Sequence, residues 1–397
     1  MNAFIVTLRP ILMLCKIVGI INTSYYFESN GLLVKNTNSK CRLLFEFSKT
    51  VIMLIFTYYN LKKLSFLDSL ILYKFWTAII TSRISETWII KLINGIIEFD
   101  QNLTSLPTYL QTYRRQYDKK CLNIIFICAF LYYTVITLLL MYLYPIKRMD
   151  INVIFIYFVR ISFIVDFTVI VSSYFYLHNL QYRFEILNDI WKFLPAGLLA
   201  VPGECSHYDI AMMVDHIRLL HAQLSDILRV FSLGYGQMLL GYFVFSYINM
   251  LVFFFFTFYF KYPTSSENND MNMILKKTAP FVYNLQNIIC TMSIITAAAR
   301  VHDKKRQIIS YLRLTRISNL SIPLKIQIKM FMNQVSIFES TEITAYGIFS
   351  INLNLVISIL ILLISGITTL IQMNEHPFIW QTINSILNFY KKLNVSN

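Results

Sequence analysis

Charge is scarce in this sequence. Only 14% of its 397 residues are Asp, Glu, Lys or Arg, against 56% hydrophobic, and a chain of this length with so little polar surface cannot cover water-soluble domains. Cysteine is thin as well: Cys15, Cys41, Cys121, Cys128, Cys205 and Cys290 show neither CxxC nor CxxH spacing, so neither a zinc site nor a disulfide framework is indicated. Also missing are an H-E-x-x-H pair, a glycine-rich phosphate loop and a nucleophile elbow. His216 and His221 stand five apart and are poorly placed to share a metal. The expectation is a protein without enzymatic activity, metal or cofactor. The ten Gly and nine Pro follow no two-fold pattern, unlike the repeated halves and broken helices of a secondary transporter.

What the sequence has instead is apolar length. Crossing the hydrocarbon core takes roughly 20 mostly apolar residues in a helix, and only helices or closed barrels satisfy every backbone group there. Helix-length apolar runs cover 43–61, 70–90, 122–144, 153–177, 230–260, 279–299 and 344–373. The fold expected is an all-α membrane protein with seven transmembrane helices. Aromatics make up 16% of the residues, an excess suited to lipid-facing surfaces and interfacial belts. Residues 1–22 hold a shorter apolar stretch broken by Arg9, Pro10 and Lys16, with no small-residue cleavage site behind it. That pattern predicts an interfacial helix rather than a signal peptide.

The net charge of +14 takes its meaning from where the basic residues sit. They fall in short segments between apolar runs, as in cytoplasmic loops, so no nucleic-acid partner is expected. Segments 1–42, 91–121, 178–229 and 300–343 hold 22 of the 35 Lys and Arg, and the alternate segments nine. The positive-inside rule then puts the N-terminus in the cytosol and, after seven crossings, the C-terminus outside. The chain divides into a cytosolic or interfacial N-terminal segment (1–42), a six-helix bundle (43–299), cytosolic anchor helices (300–343), a last membrane helix (344–373) and an extracellular tail (374–397). The tail carries the glycosylation pattern Asn394-Val395-Ser396. In the anchor segment, Leu324, Ile328, Phe331, Val335 and Phe338 step by four and three, a seam that needs a partner helix either in the same subunit or in a neighbour.

The last span carries the most informative pattern. Asn354, Ser358, Ser365, Thr368, Thr369 and Gln372 fall, at about 100° per residue, within one sector on the order of 100° wide. Lipid cannot satisfy a polar edge on an apolar helix, so it faces either the polar groups of another helix or water. Repeated around a symmetry axis by identical subunits, such an edge would line a channel with hydroxyls and amides that partly replace an ion's hydration shell. Inside the fourth span, Arg160 and Asp166 lie on opposite sides of the helix, and each needs a partner elsewhere or water.

The run Ala345-Tyr346-Gly347-Ile348-Phe349-Ser350-Ile351-Asn352 resembles the A-x-G-h-F-x-h-D/N run at the start of the final span of insect gustatory receptors. That family ends the span with T-Y, five apolar residues and Q-F. Here Ser365-Gly366 through Gln372-Met373 stand in those places, so Gln is kept while Thr, Tyr and Phe are replaced. The resemblance implies seven-span subunits assembled as a homo- or heterotetramer in the plasma membrane of a chemosensory neuron. Their last helices would form a central pore, opened by a tastant bound in each subunit. Carried over by position, Gln372 and Met373 sit at the gate, with Ser365, Thr368 and Thr369 of the polar edge lining the pore, and Glu375 follows, either ringing the external mouth or standing as a solvated carboxylate.

By the same analogy the ligand pocket sits in the outer half of the bundle. Its candidate residues are Tyr73, Trp76, Tyr142, Tyr157, Tyr259, Phe281, Tyr283 and Asn284, although each aromatic also fits an interfacial belt. A cavity so rich in aromatics suits lipophilic or weakly polar compounds and favours a bitter or other non-sugar tastant. The function expected is a ligand-gated non-selective cation channel. Two other classes compete. A G-protein-coupled receptor would have an external N-terminus and an acidic-arginine motif after its third span, where this chain has Pro145-Ile146-Lys147-Arg148; a secondary transporter would show the repeated halves missing here.

Overall fold

A computed structural model describes residues 3–21, 25–35, 66–105, 151–200, 207–259, 271–314, 320–339 and 342–372, with helical positions scattered through 44–58 and 127–138. Met373, Glu375, Tyr142, the glycosylation pattern at Asn394 and most of the spans expected at 43–61 and 122–144 lie outside the described residues.

The elements in chain order are α1 (Ala3–Val18), β1 (Tyr25–Phe27), β2 (Leu33–Lys35), α2 (Phe66–Thr104), α3 (Ile151–Ala200), α4 (His207–Tyr259), α5 (Met271–Leu314), α6 (Ile322–Glu339), β3 (Thr344–Ala345), β4 (Phe349–Ser350) and α7 (Leu353–Gln372). Both strand pairs are short antiparallel hairpins. Among the described residues there is no closed sheet, and the all-α expectation holds.

Three described helices are long and apolar enough to cross a membrane, over Tyr208–Phe255, Phe281–Leu314 and Leu353–Gln372. The spans expected at 70–90 and 153–177 run inside α2 and α3. Helix α4 has 53 residues and so measures about 80 Å, against a hydrocarbon core of about 30 Å. Its apolar C-terminal half is the part that fits lipid. The half bearing Asp209, Asp215, Arg218, Asp226 and Arg229 lies beyond it. Helix α5 divides the same way, with the charged stretch Arg300–Arg313 outside the apolar run 279–299.

Helix α4 is the hub of the molecule. It packs against α2, α3, α5, α6, α7 and the strand β3. Helix α1 lies on α3 and buries Phe4, Leu8, Ile11 and Cys15, while Val6, Met13 and Ile17 stay exposed on its other side. One side of this helix is thus bundle core. A buried bidentate pair closes the junction: Arg183 on α3 donates from Nε to Asp100 Oδ1 at 3.0 Å and from Nη2 to Oδ2 at 2.7 Å. The guanidinium also stands 5.0 Å from the Phe4 ring, so α1, α2 and α3 meet at one charge.

The heptad seam of α6 finds its partner within the chain. Leu324, Ile328, Phe331 and Val335 are all buried where α6 packs on α4 and α5, and Phe331 meets the Trp191 ring edge-on at 5.6 Å.

Candidate functional site

The last helix was expected from Thr344 and begins instead at Leu353. The residues in between form the hairpin β3–β4, in the register Thr344↔Ser350 and Ala345↔Phe349. Its turn sets Tyr346 at φ 55° and Gly347 at φ 75°, a left-handed pair that a helix cannot accommodate and that glycine adopts without strain. The Thr344 hydroxyl accepts from the Gly347 N–H at 3.1 Å and holds the turn. Asn352 then occupies the N-cap of α7, its carbonyl accepting from the Leu355 N–H at 3.0 Å.

This geometry gives the Ala, Gly, Phe and Asn positions of the A-x-G-h-F-x-h-D/N run a job each. Ala345 is fully buried against α4, Gly347 makes the turn, Phe349 packs edge-on against Phe243 at 5.9 Å, and Asn352 starts the helix. The hairpin backbone rests directly on α4. A Cβ built at Gly236 would lie 2.7 Å from the Tyr346 amide nitrogen and 2.9 Å from the Thr344 carbonyl oxygen. Two further anchors hold it, the Thr344 N–H donating to Ser232 Oγ at 3.3 Å and the Ile343 N–H donating to His302 Nε2 at 3.1 Å.

Helix α7 leans on the bundle by a single side. Leu363 is its one buried residue among those described, and Leu355, Val356 and Ile359 pack partly buried against the core. The polar edge lies on the roughly opposite side, and Asn354, Ser358, Ser365, Thr368, Thr369 and Gln372 are all exposed. The hydroxyls of Ser358, Thr368 and Thr369 donate to the carbonyls of Asn354, Ile364 and Ser365 at 3.2, 2.9 and 2.9 Å, which leaves their oxygens free to accept outward. A third, apolar ridge of Leu353, Ile357, Leu360, Ile364 and Ile371 is also exposed. Where the family pattern has Tyr, Gly366 leaves a space that α4 fills: Tyr247 and Leu251 would meet a Cβ there at 2.8 and 2.7 Å. The Tyr247 hydroxyl donates to the Leu362 carbonyl at 3.0 Å and ties the two helices.

A second polar centre lies inside the bundle. Asp166, which the sequence left needing a partner, pairs with Lys74 of α2 at 2.7 Å, both largely buried. The Lys74 ammonium stands 5.1 Å from the Tyr242 ring. The Tyr242 hydroxyl donates to Asn287 Oδ1 at 3.1 Å, and Ser246 donates to the same oxygen at 3.0 Å. Four helices, α2 to α5, thus contribute to one polar cluster, its ion pair and its hydrogen-bonded group joined by the Lys74–Tyr242 contact. A void of about 10 Å³ bordered by Lys74, Ala78, Asp166, Val169, Met238, Gly241 and Tyr242 adjoins it.

The expected ligand residues divide around this centre. Asn284 is buried and Tyr283 half-buried on α5, close to the cluster in sequence. Trp76 is half-buried, and its Nε1–H donates to Thr57 Oγ1 at 3.0 Å. Tyr73 and Phe281 face outward, 58% and 48% exposed, and Phe281 meets Phe253 edge-on at 5.0 Å. Tyr157 and Tyr259 lie on α3 and α4, with side chains outside the described set. Sequence reasoning missed Lys74 as Asp166's partner and Asn287 as the cluster's hub. A lysine inside an apolar span was the available signal for the first.

Membrane-length helices around a buried polar cluster define a multi-pass helical membrane protein. The 7tm chemosensory receptor family matches residues 8–375, and the chain belongs to that family. The likeness to gustatory receptors read from Ala345–Asn352 thus falls within a family that covers nearly the whole chain. The fold is shared with the insect olfactory receptor OR5 from Machilis hrabei, at a TM-score of 0.59 and 13% identity over 92% of this chain and 97% of that one. The same receptor in complex with eugenol matches with a TM-score of 0.57 and 13% identity over 94% of this chain and 100% of that one. No curated protein matches the chain by sequence.

Proposed function

We propose that the protein is a gustatory chemoreceptor of the plasma membrane of a sensory neuron, acting as a ligand-gated non-selective cation channel whose pore is lined by α7 from four subunits. The observation that carries this reading is the orientation of α7. Its polar edge is turned away from its own bundle and exposed along the whole helix. Among the described residues, interhelical hydrogen bonding within one protomer therefore does not account for that edge, and lipid would leave the Asn354 and Gln372 amides unsatisfied. The neighbouring apolar ridge, stepping by four, three, four and seven, gives an adjacent subunit a surface to pack on. The N-terminus is cytosolic in this reading, by the distribution of Lys and Arg.

The ligand is a small molecule, in keeping with a related fold solved with eugenol bound. The aromatic-heavy candidate set expected in the outer half of the bundle favours a bitter or other non-sugar compound over a sugar, which needs many hydrogen-bonding side chains at once.

The test is a cysteine scan of α7 read by ligand-evoked current in cells without added G-protein components. Ser365→Cys, Thr369→Cys and Gln372→Cys are expected to be blocked by a water-soluble thiol reagent, and Leu363→Cys to be untouched. Evoked currents insensitive to modification at all of the polar positions would end the pore assignment.

A further inference from the structure

Helix α5 holds the chain that leads into α7 at three successive points. Lys305 Nζ donates to the Phe338 carbonyl at 2.6 Å, closing the C-terminal end of α6. Arg306 lies 3.8 Å from Glu342. His302, one turn back on α5 and only 8% exposed, accepts the Ile343 N–H at Nε2. Of the three, His302 alone engages the hairpin, and the residue it holds immediately precedes β3. Its ring can accept at Nε2 only as the neutral Nδ1–H tautomer, since the imidazolium has no lone pair to offer.

The same helix carries Asn287, the hub of the buried cluster, and His302 lies 15 residues further along, about 22 Å down the helix axis. A continuous helix between two packed centres moves as a rod, so a displacement at Asn287 reaches the hairpin through His302. The hairpin has little slack to absorb it, because Ser232 and Gly236 fix it on α4 from the other side.

We propose that His302 is a positioning residue that sets where the hairpin, and with it the start of α7, sits relative to α5, and so couples the buried cluster to the last helix. The role in coupling rests on the channel reading above; the anchoring of the hairpin does not.

The experiment has two arms. In the first, hydrogen–deuterium exchange is measured on the purified full-length receptor, following the peptide that spans residues 343–351. His302→Leu is expected to speed exchange there about tenfold, the loss of one buried hydrogen bond, and His302→Gln, whose amide oxygen can accept, to return it close to wild type. In the same variants at matched surface level, the ligand concentration for half-maximal current shifts with Leu and recovers with Gln, while single-channel conductance stays unchanged.

The second arm reads the wild-type protein itself and uses a variant only for assignment. Ring ¹⁵N shifts of ¹⁵N-histidine-labelled wild type, with the 302 signal assigned from the Gln variant, should report an Nδ1–H tautomer. An Nε2–H tautomer, an imidazolium at neutral pH, or unchanged exchange in the Leu variant overturns the inference. A wild type that conducts nothing while the exchange and tautomer results hold would instead remove the channel reading and leave the anchor standing.

Discussion

The Tyr346 amide nitrogen lies 2.7 Å from where a side chain at Gly236 would begin, so the hairpin ahead of the last helix is seated backbone to backbone on α4. Both contacts at that point are main-chain atoms and cannot swing aside as a side-chain tip could. Gly236→Ala is therefore expected to lift the hairpin off α4 and destabilise the receptor by about 1–3 kcal/mol, the range for overpacking. A fall in the midpoint of thermal unfolding of the purified protein checks it, with Gly95→Ala as comparison because its nearest neighbour is the flexible Ile227 side chain at 3.2 Å.

The Lys74–Asp166 pair joins α2 to α3 in a largely buried setting. Removing one charge strands the other, at a cost of about 3–5 kcal/mol, whereas removing both is far milder. Lys74→Met and Asp166→Asn should each lower folded yield and unfolding temperature sharply, and the double variant should recover a large part of the loss. A double variant as unstable as the sum of the singles would show that the two residues do not act as a pair.

Tyr247 on α4 donates to the Leu362 carbonyl and fills the space beside Gly366. Tyr247→Phe keeps the ring and removes one hydrogen bond, an effect of about 1 kcal/mol, small for folding but placed at the middle of α7. The expected readout is a raised ligand-independent current at unchanged surface level. Equal basal currents in variant and wild type would show that this contact does not restrain the helix.

The polar edge of α7 was legible because helical periodicity is a property of the local sequence: Asn354, Ser358, Ser365 and Gln372 mark one side wherever the helix packs. Which side the bundle takes was not legible, since that depends on α4 presenting Tyr247 and Leu251 to Gly366. The hairpin reads as helix in the sequence because its residues are mostly apolar and continue into a long apolar run. Gly347 was the local sign against that reading, but a left-handed Tyr346 beside it has no sequence signature. The partner of Asp166 stayed hidden for another reason. Lys74 is 92 positions away in sequence, and only the packing of α2 on α3 brings them together. The α6 seam shows the same limit, because spacing announced a partner helix while the fold alone supplied its identity.

Two histidines outside the apolar spans tie stability to acid. Burial is the main cause that lowers His302 from 6.5 to about 4; Glu342 and Asp303 act to raise it, and Lys305 and Arg306 add to the lowering. Burial likewise lowers His221 from 6.5 to about 3, helped by Lys305, and its ring is stacked edge-on between Phe184 and Phe331 at 5.9 and 5.5 Å. Since both pKa values are depressed on folding, the stabilising effect is complete above pH 6.5 and is lost as pH falls toward about 4 and then about 3. For His302 the loss across that window amounts to about 3 kcal/mol at most, at 1.36 kcal/mol per pH unit. Thermal unfolding of the wild-type receptor should therefore be flat from pH 8 to about 6.5 and fall below it, and His302→Gln should fall less steeply while His221 still titrates. Identical slopes for wild type and His302→Gln would mean that His302 is not held neutral in the folded protein, and that its lone pair is not committed to Ile343.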